Sequence, residues 1–239
     1  MNLVLDYGNS FAKVGIFENY DLRSQYTFAH RDELKNFLQN FSADNFILSS
    51  VTHEASSILP WVDHIKTKFI LTAALPLPVK SLYATPETLG VDRIAGVCGA
   101  YQKFPGTNCL VIDAGTCVTY DFLDDKGNYH GGAISPGLKM RLQAMNAFTA
   151  KLPLVDVISN PPLIGTTTET CLQSGAINGM SEEIKGIISL YQQKIVDLKA
   201  ILCGGDASFF ENQLKGPIFA IPELVLSGLN SILIYNVGH

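Results

Sequence analysis

The sequence predicts an α/β protein built as two lobes, and three observations carry that expectation. Leu3-Val4-Leu5-Asp6-Tyr7-Gly8-Asn9 and Leu110-Val111-Ile112-Asp113-Ala114-Gly115-Thr116 repeat one pattern at an offset of 113 minus 6, or 107 residues. In each copy an apolar strand ends in an aspartate, a glycine lets the backbone turn, and a residue with an amide or hydroxyl leads into a second strand. Strand and helix patterns alternate along the whole chain, as in layered α/β proteins. Finally, 239 residues at 47% hydrophobic suffice for one large domain or two of roughly 100 to 130 residues. The repeat favours two, residues 1–107 and 108–239, with the last helix free to return to the first lobe.

Each element has a local reason. Residues 2–6, 11–17 and 22–28 carry β-branched and aromatic residues between turn signals and predict a three-stranded antiparallel start. Residues 31–40 place apolar side chains at 34, 37 and 38, one face of a helix. Residues 46–51 read as a strand, 56–65 as a helix with Pro60 near its first turn, and 68–71 as a strand. The proline-rich stretch 74–86 reads as an extended loop, and 92–103 as a helix with small residues for close packing. The second lobe restarts with strands at 109–113 and 117–123, a turn at 125–128, and a strand at 129–134. Helices at 137–149 and 168–194, a strand at 199–203, a short helix after Asp206 and a last helix from Pro222 complete the layout.

Composition excludes several functions. A net charge of −5, a pI near 5.5 and the lack of any Lys or Arg run argue against nucleic-acid binding. Five cysteines (98, 109, 117, 171, 203) without a C-x-x-C pair, in segments that read as buried, fit a reduced cytosolic protein. No basic leader precedes the first apolar stretch. Residues 224–237 are interrupted by Ser227, Gly228, Asn230, Ser231 and Asn236, so they read as a packed helix rather than a membrane span. The expectation is a cytoplasmic protein with neither nucleic-acid nor membrane partners. No P-loop or G-x-G-x-x-G pattern occurs, no two histidines stand at i, i+4, and His53-Glu54 lacks the second histidine of a zinc site.

What remains is a phosphate grip without a P-loop lysine. A hairpin tip presents backbone N–H groups to phosphate oxygens, and its aspartate can hold a metal or a metal-bound water. Phosphoryl transfer asks for such positioning and charge neutralisation more than for covalent chemistry. Asp6 suits a Mg2+ contact beside the donors of Gly8, Asn9 and Ser10, while Lys13 either adds charge to the site or is an outward strand lysine. Asp92 follows a glycine turn and reads either as a helix N-cap or as a base within reach of a substrate hydroxyl.

The motifs Asp6-Tyr7-Gly8-Asn9-Ser10-Phe11-Ala12-Lys13, Gly90-Val91-Asp92-Arg93, Asp113-Ala114-Gly115-Thr116 with Thr119 and Asp121, and Gly131-Gly132-Ala133-Ile134-Ser135-Pro136-Gly137-Leu138, in this order and spacing, resemble type III pantothenate kinase. Gly165-Thr166-Thr167-Thr168, Ser174-Gly175 and Gly204-Gly205-Asp206 extend the resemblance. It implies two ribonuclease-H-like lobes of the actin-like ATPase type with ATP in a cleft between them. It also implies ATP-dependent phosphorylation of pantothenate at its 4′ hydroxyl, the entry to coenzyme A biosynthesis.

By the same resemblance, Asp6, Tyr7, Gly8, Asn9, Ser10, Phe11, Ala12, Lys13 and Thr116 bind ATP, and Asp92 is the general base. Tyr83, Gly90, Val91, Asp92, Arg93 and Thr168 line the pantothenate site, with Arg93 holding the substrate carboxylate. Asp113 holds a monovalent cation, potassium or ammonium, and the protein is a homodimer. Arg93 as a structural ion pair, Tyr83 as a local anchor and Gly204-Gly205 as a tight turn are the competing structural roles. The chain also reads as somewhat short for the family. A non-catalytic regulatory relative of the Bvg accessory factor type, or another actin-like small-molecule kinase, are the alternative functions.

Overall fold

The computed structural model describes residues 1–50, 55–211, 213–214 and 218–238. They divide into two compact units, Met1–Gly106 with Phe122–Gly131 and Glu223–His239, and Thr107–Asp121 with Gly132–Pro222.

In the first unit, β1 (Asn2–Tyr7), β2 (Ala12–Glu18), β3 (Asp21–Phe28), β4 (Asn45–Ser50) and β5 (Thr67–Ile70) form a mixed sheet in the order β3-β2-β1-β4-β5. β1 runs antiparallel to β2 and parallel to β4. Being central, β1 and β4 are covered on both faces, which is why they read as unbroken apolar runs. Leu3, Leu5, Phe46 and Leu48 join a core with Trp61, Val62 and with Leu34 and Leu38 of α1 (Arg31–Asn40). The alternate residues Val4 and Ile47, also fully buried, face the other side. That side is covered by α2 (Val91–Lys103), which contacts β4, and by the last helix, Leu224–Val237, which contacts both strands.

The two covering helices touch backbone to backbone. A Cβ at Gly99 would lie 2.4 Å from the Leu224 carbonyl oxygen, and one at Gly228 would lie 1.7 Å from that of Ala95. Only glycine fits at that crossing. Amides then fix the last helix to the sheet: Asn230 accepts a hydrogen bond from Asn2 at 2.9 Å and donates to the Asn19 carbonyl at 2.8 Å.

A second sheet has β7 (Cys109–Ala114), β8 (Cys117–Leu123), β9 (Asn128–Pro136), β10 (Lys199–Cys203) and β11 (Ile218–Ala220) in the order β11-β10-β7-β8-β9, with β10 parallel to both β7 and β11; the second unit holds these strands apart from Phe122–Leu123 of β8 and Asn128–Gly131 of β9, which belong to the first. Its core joins Leu110 and Ile112 of β7 to α3 (Leu138–Ala147), α4 (Thr168–Gln192) and α5 (Ala207–Glu211). α4 starts on a capping box in which Thr167 and Thr170 exchange side-chain-to-backbone bonds of 3.2 and 3.0 Å. The last helix is α6. No helix among the described residues is long and apolar enough to cross a membrane.

The structure departs from the expected elements in four places. Residues 56–65 are not an α-helix but two 3₁₀ turns, Ala55–Ser57 and Leu59–Val62. Pro60 has no N–H and its ring opposes the carbonyl four residues back, so only i→i+3 bonds form, such as Trp61 N–H to Ile58 O at 2.9 Å. Inside the proline-rich loop, Lys80–Ser81 form a short strand, β6, parallel to Asn128 and Tyr129 at the start of β9. β11 has three residues, too few for a pattern to register. Cys171, expected in a buried segment, is exposed on α4, whose register turns it outward. Val51, at the end of the expected fourth strand, His53-Glu54 and His239 lie outside the described residues.

The crossing of α2 and α6 sets a measurable expectation. Gly228→Ala lowers the unfolding free energy by about 3 kcal/mol in a denaturant titration, because a methyl cannot enter the contact without separating the helices. Gly186→Ala, on an exposed stretch of α4 with nothing within 4 Å of the added carbon, is instead stabilising by up to about 1 kcal/mol.

Candidate active site

The first hairpin tip is set by strand register. Asp6, near the end of β1, stands directly opposite Lys13 on β2 and Ser49 on β4. Directly paired residues share a face, so Lys13 points the same way as Asp6 and its charge reaches the carboxylate. The Asp6 carboxyl is pushed up to about 6, by burial first and by the charge of Asp92 second, against the opposing pull of Lys13 and Ser49. The Ser49 hydroxyl, fully buried beside it, has no partner at hydrogen-bonding geometry among the described residues. Sequence reasoning missed Ser49; its signal was its place at the carboxyl end of a parallel strand, where α/β sheets put their ligand contacts.

At the tip, the Gly8 N–H donates to the Phe11 carbonyl at 3.1 Å, so it closes the turn rather than facing a ligand. Asn9 and Ser10 are the exposed residues between. Gly8 does not have left-handed backbone, and a Cβ there would lie 3.3 Å from Phe11 O, so its value is the missing side chain. A cavity of about 170 Å³ opens here, lined by residues 7–12 and 28–31 with Leu34. His30 and Arg31, at the start of α1, are lining residues that no sequence motif marked.

Asp92 sits in the first turn of α2, in the same unit. Its Oδ1 accepts the Arg93 backbone N–H at 2.9 Å, and a Cβ at Gly90 would lie 2.6 Å from that oxygen. Gly90 therefore clears space for the Asp92 carboxylate. The capping role does not compete with the chemical one: Gly90 is the N-cap residue, and Asp92 stays close enough to raise Asp6. Arg93 is buried, with its guanidinium 5.6 Å from the centre of the Tyr83 ring. The structure thus brings Asp6, Lys13 and Asp92 into one electrostatic field and Tyr83 onto Arg93.

The second tip differs from the first. The Gly115 N–H donates to Cys117 O at 2.9 Å, which leaves Thr116 alone and exposed at the turn. Gly115 also lacks left-handed backbone. Asp113 is paired in register with Cys203 of β10, and the chain then doubles over the end of β7. The Asp206 N–H donates to Ala114 O at 2.9 Å. Gly204 has φ +94, and a Cβ on it would lie 2.2 Å from Asp113 Oδ1, so the tight-turn role of this glycine is structural and keeps the carboxylate clear. Burial raises the Asp206 carboxyl, with Lys139 opposing.

No group of three or more His, Cys, Asp or Glu among the described residues is arranged to hold a metal. Single carboxylates at strand ends, with hydroxyl and backbone oxygens around them, fit a hard cation that takes the rest of its shell from phosphates and water. Thr168 lines a separate cavity of the second unit, about 460 Å³, with residues 165–167, Cys171, Leu172, Met145 and Leu152.

The family model described as type III pantothenate kinase matches residues 2–190. A relative from Christiangramia forsetii named type III pantothenate kinase is 45% identical over 99% of both chains, and one of the same name from Phocaeicola vulgatus is 44% identical over 99% of both. The chain is therefore as long as these relatives, and the expectation of a shortened chain is not met. Among solved structures, a Campylobacter jejuni protein described in the Baf family of transcriptional activators is similar at TM-score 0.62 and 22% identity, over 99% of this chain and 100% of that one. A glucokinase from an Antarctic psychrotroph is similar at TM-score 0.51 and 10% identity, over 98% of each. These two likenesses show the fold alone, an α/β chain with two mixed sheets flanked by helices.

The raised Asp6 carboxyl gives a pH-dependent expectation. A folded value of about 6 against an ordinary 3.8 means that ionised Asp6 destabilises the fold above pH 6 and that this penalty is gone below the ordinary value. Asp6→Asn removes the penalty. Its thermal midpoint exceeds that of the parent protein at about pH 7.5, and the gap closes by about pH 4. Equal midpoints at both ends, followed by calorimetry, would show that Asp6 carries no such penalty.

Proposed function

Because the chain belongs to the type III pantothenate kinase family, its reaction is the ATP-dependent phosphorylation of pantothenate in coenzyme A biosynthesis, and we propose that Asp92 is the general base of that transfer. One observation carries the assignment: the Asp92 charge reaches Asp6, so the candidate base stands beside the candidate phosphate grip in one compact unit. In this reading the 4′ hydroxyl of pantothenate gives its proton to the Asp92 carboxylate as its oxygen bonds the γ-phosphorus and the bond to ADP breaks. Gly90 leaves room for the carboxylate, and the Arg93 N–H holds its Oδ1.

The ribonuclease-H-like lobes are taken as residues 1–107 and 108–239, each with its own strand-turn tip. Residues 7–13 and Thr116 contact the nucleotide, with the exposed Asn9 and Ser10 nearest its phosphates. Asp6 is the residue for Mg2+, which when bound neutralises phosphate charge. Asp113 is the residue for potassium or ammonium, supported by the space that Gly204 keeps around its carboxylate. Tyr83, Gly90, Val91 and Arg93 of the first unit are assigned to pantothenate, the Arg93 fork to the substrate carboxylate, and Thr168, on the second unit's own cavity, carries the same assignment from its family motif. A homodimer is supported by large apolar side chains exposed on the second unit, among them Phe148, Leu163 and Ile164 at 88, 82 and 79%. Five free cysteines support a cytoplasmic location.

Asp92→Asn keeps the oxygen that accepts the Arg93 N–H but cannot take a proton. Its kcat falls by about 10²- to 10⁴-fold in a coupled ADP-release assay while ATP still binds and the melting curve is retained. Turnover like that of the parent would remove Asp92 from the mechanism, and no turnover in the parent would favour a regulatory relative. Replacing potassium by sodium lowers activity in the parent protein and has no effect on Asp113→Asn; equal rates in the two salts would take the cation away from Asp113.

A further inference from the structure

Tyr83 and Arg93 come from a proline-rich loop and from the helix that follows it, and neither segment by itself fixes the pair. β9 does. Tyr129, its second residue, is fully buried, and its ring stacks on Tyr83 with centroids 6.1 Å apart and planes within 6°. The Tyr83 ring in turn carries the Arg93 guanidinium at 5.6 Å. Two backbone bonds fasten the loop to this strand and to the turn before it: Leu82 N–H to Tyr129 O at 2.8 Å and Lys80 N–H to Gly127 O at 2.9 Å.

Gly131 lies two residues on, hence on the same face as Tyr129. Its φ is +91, and a Cβ there would lie 3.1 Å from Tyr83 Cδ2. An aromatic at 129 and bare backbone at 131 together make a slot of the shape of the Tyr83 ring. The turn that feeds the strand is itself pinned, since the Asp124 carboxylate accepts the N–H groups of Lys126 and Asn128, the Asn128 amide and the His130 ring nitrogen. All these residues belong to the first unit.

We infer that Tyr129 is a positioning residue of the pantothenate site, holding Tyr83 and, through its ring, the guanidinium that receives the substrate carboxylate. The inference rests on the assignment of Tyr83 and Arg93 to pantothenate made above. Tyr129 touches no substrate. Its effect falls on the acid substrate and not on the nucleotide.

Steady-state kinetics on the full chain test it. Tyr129→Leu removes the stacked ring and raises the KM for pantothenate about 3- to 10-fold, the weight of one aromatic contact, with little change in the KM for ATP. Tyr129→Phe keeps the ring and restores the parent KM. Since Tyr129 acts through Tyr83, Tyr83→Leu with Tyr129→Leu is no worse than Tyr83→Leu alone. If Tyr129→Leu folds poorly by circular dichroism, Gly131→Ala, which crowds the Tyr83 ring from the same strand, gives the same selective rise. An unchanged pantothenate KM, an equal rise for both substrates, or additive losses in the double variant would overturn the positioning role. A parent protein that turns over no pantothenate would sink the underlying site assignment instead.

Discussion

Two carboxylates held within reach of each other's charge set the terms for the first unit. Asp6 stands near the end of a strand buried on both faces, Asp92 lies in the first turn of a helix laid across that sheet, and burial together with the charge of Asp92 makes Asp6 harder to ionise. Such an arrangement costs stability in the empty protein and has to be held by packing elsewhere. It also favours cations: whatever positive charge arrives with a nucleotide offsets what the fold has concentrated. Lys13, opposite Asp6 in register, offsets part of it permanently.

The packing that holds the pair comes from the far end of the chain. α6 lies against β1 and β4 and meets α2 at Gly99 and Gly228, with no side chain between the backbones. Because a helix pinned so closely can neither rotate nor slide without opening the contact, the position of Asp92 in its first turn is fixed by residues more than a hundred positions away. Asn230 adds direction to that contact by bonding Asn2 and Asn19, which ties α6 to the strand that carries Asp6. One helix therefore indexes both carboxylates to the same sheet.

Much of this was legible in the sequence. Strongly periodic elements were plain, and α1 and α2 match their expected extents to within a residue, because their apolar spacing and turn signals are local. Asp6 and Asp113 could be singled out because strand ends and glycine turns announce themselves in a few residues, whereas Asp92 and Arg93 gained their roles from the family resemblance. Less was legible where the cause is remote. Gly204 reads as a tight turn, while the room it keeps for the Asp113 carboxylate is a contact made across two strands.

By itself the sequence determined the alternation of elements, the twin strand-turn patterns and the family, since each is written in short-range spacing and in motifs that keep their order. Only the tertiary structure decided which side chains share a face or a field: Lys13 with Asp6, the buried hydroxyl of Ser49 beside them, and Tyr129 beneath Tyr83. The physical reason is that register and stacking are properties of pairs brought together by folding. No residue carries in its neighbours along the chain the identity of its neighbours in space.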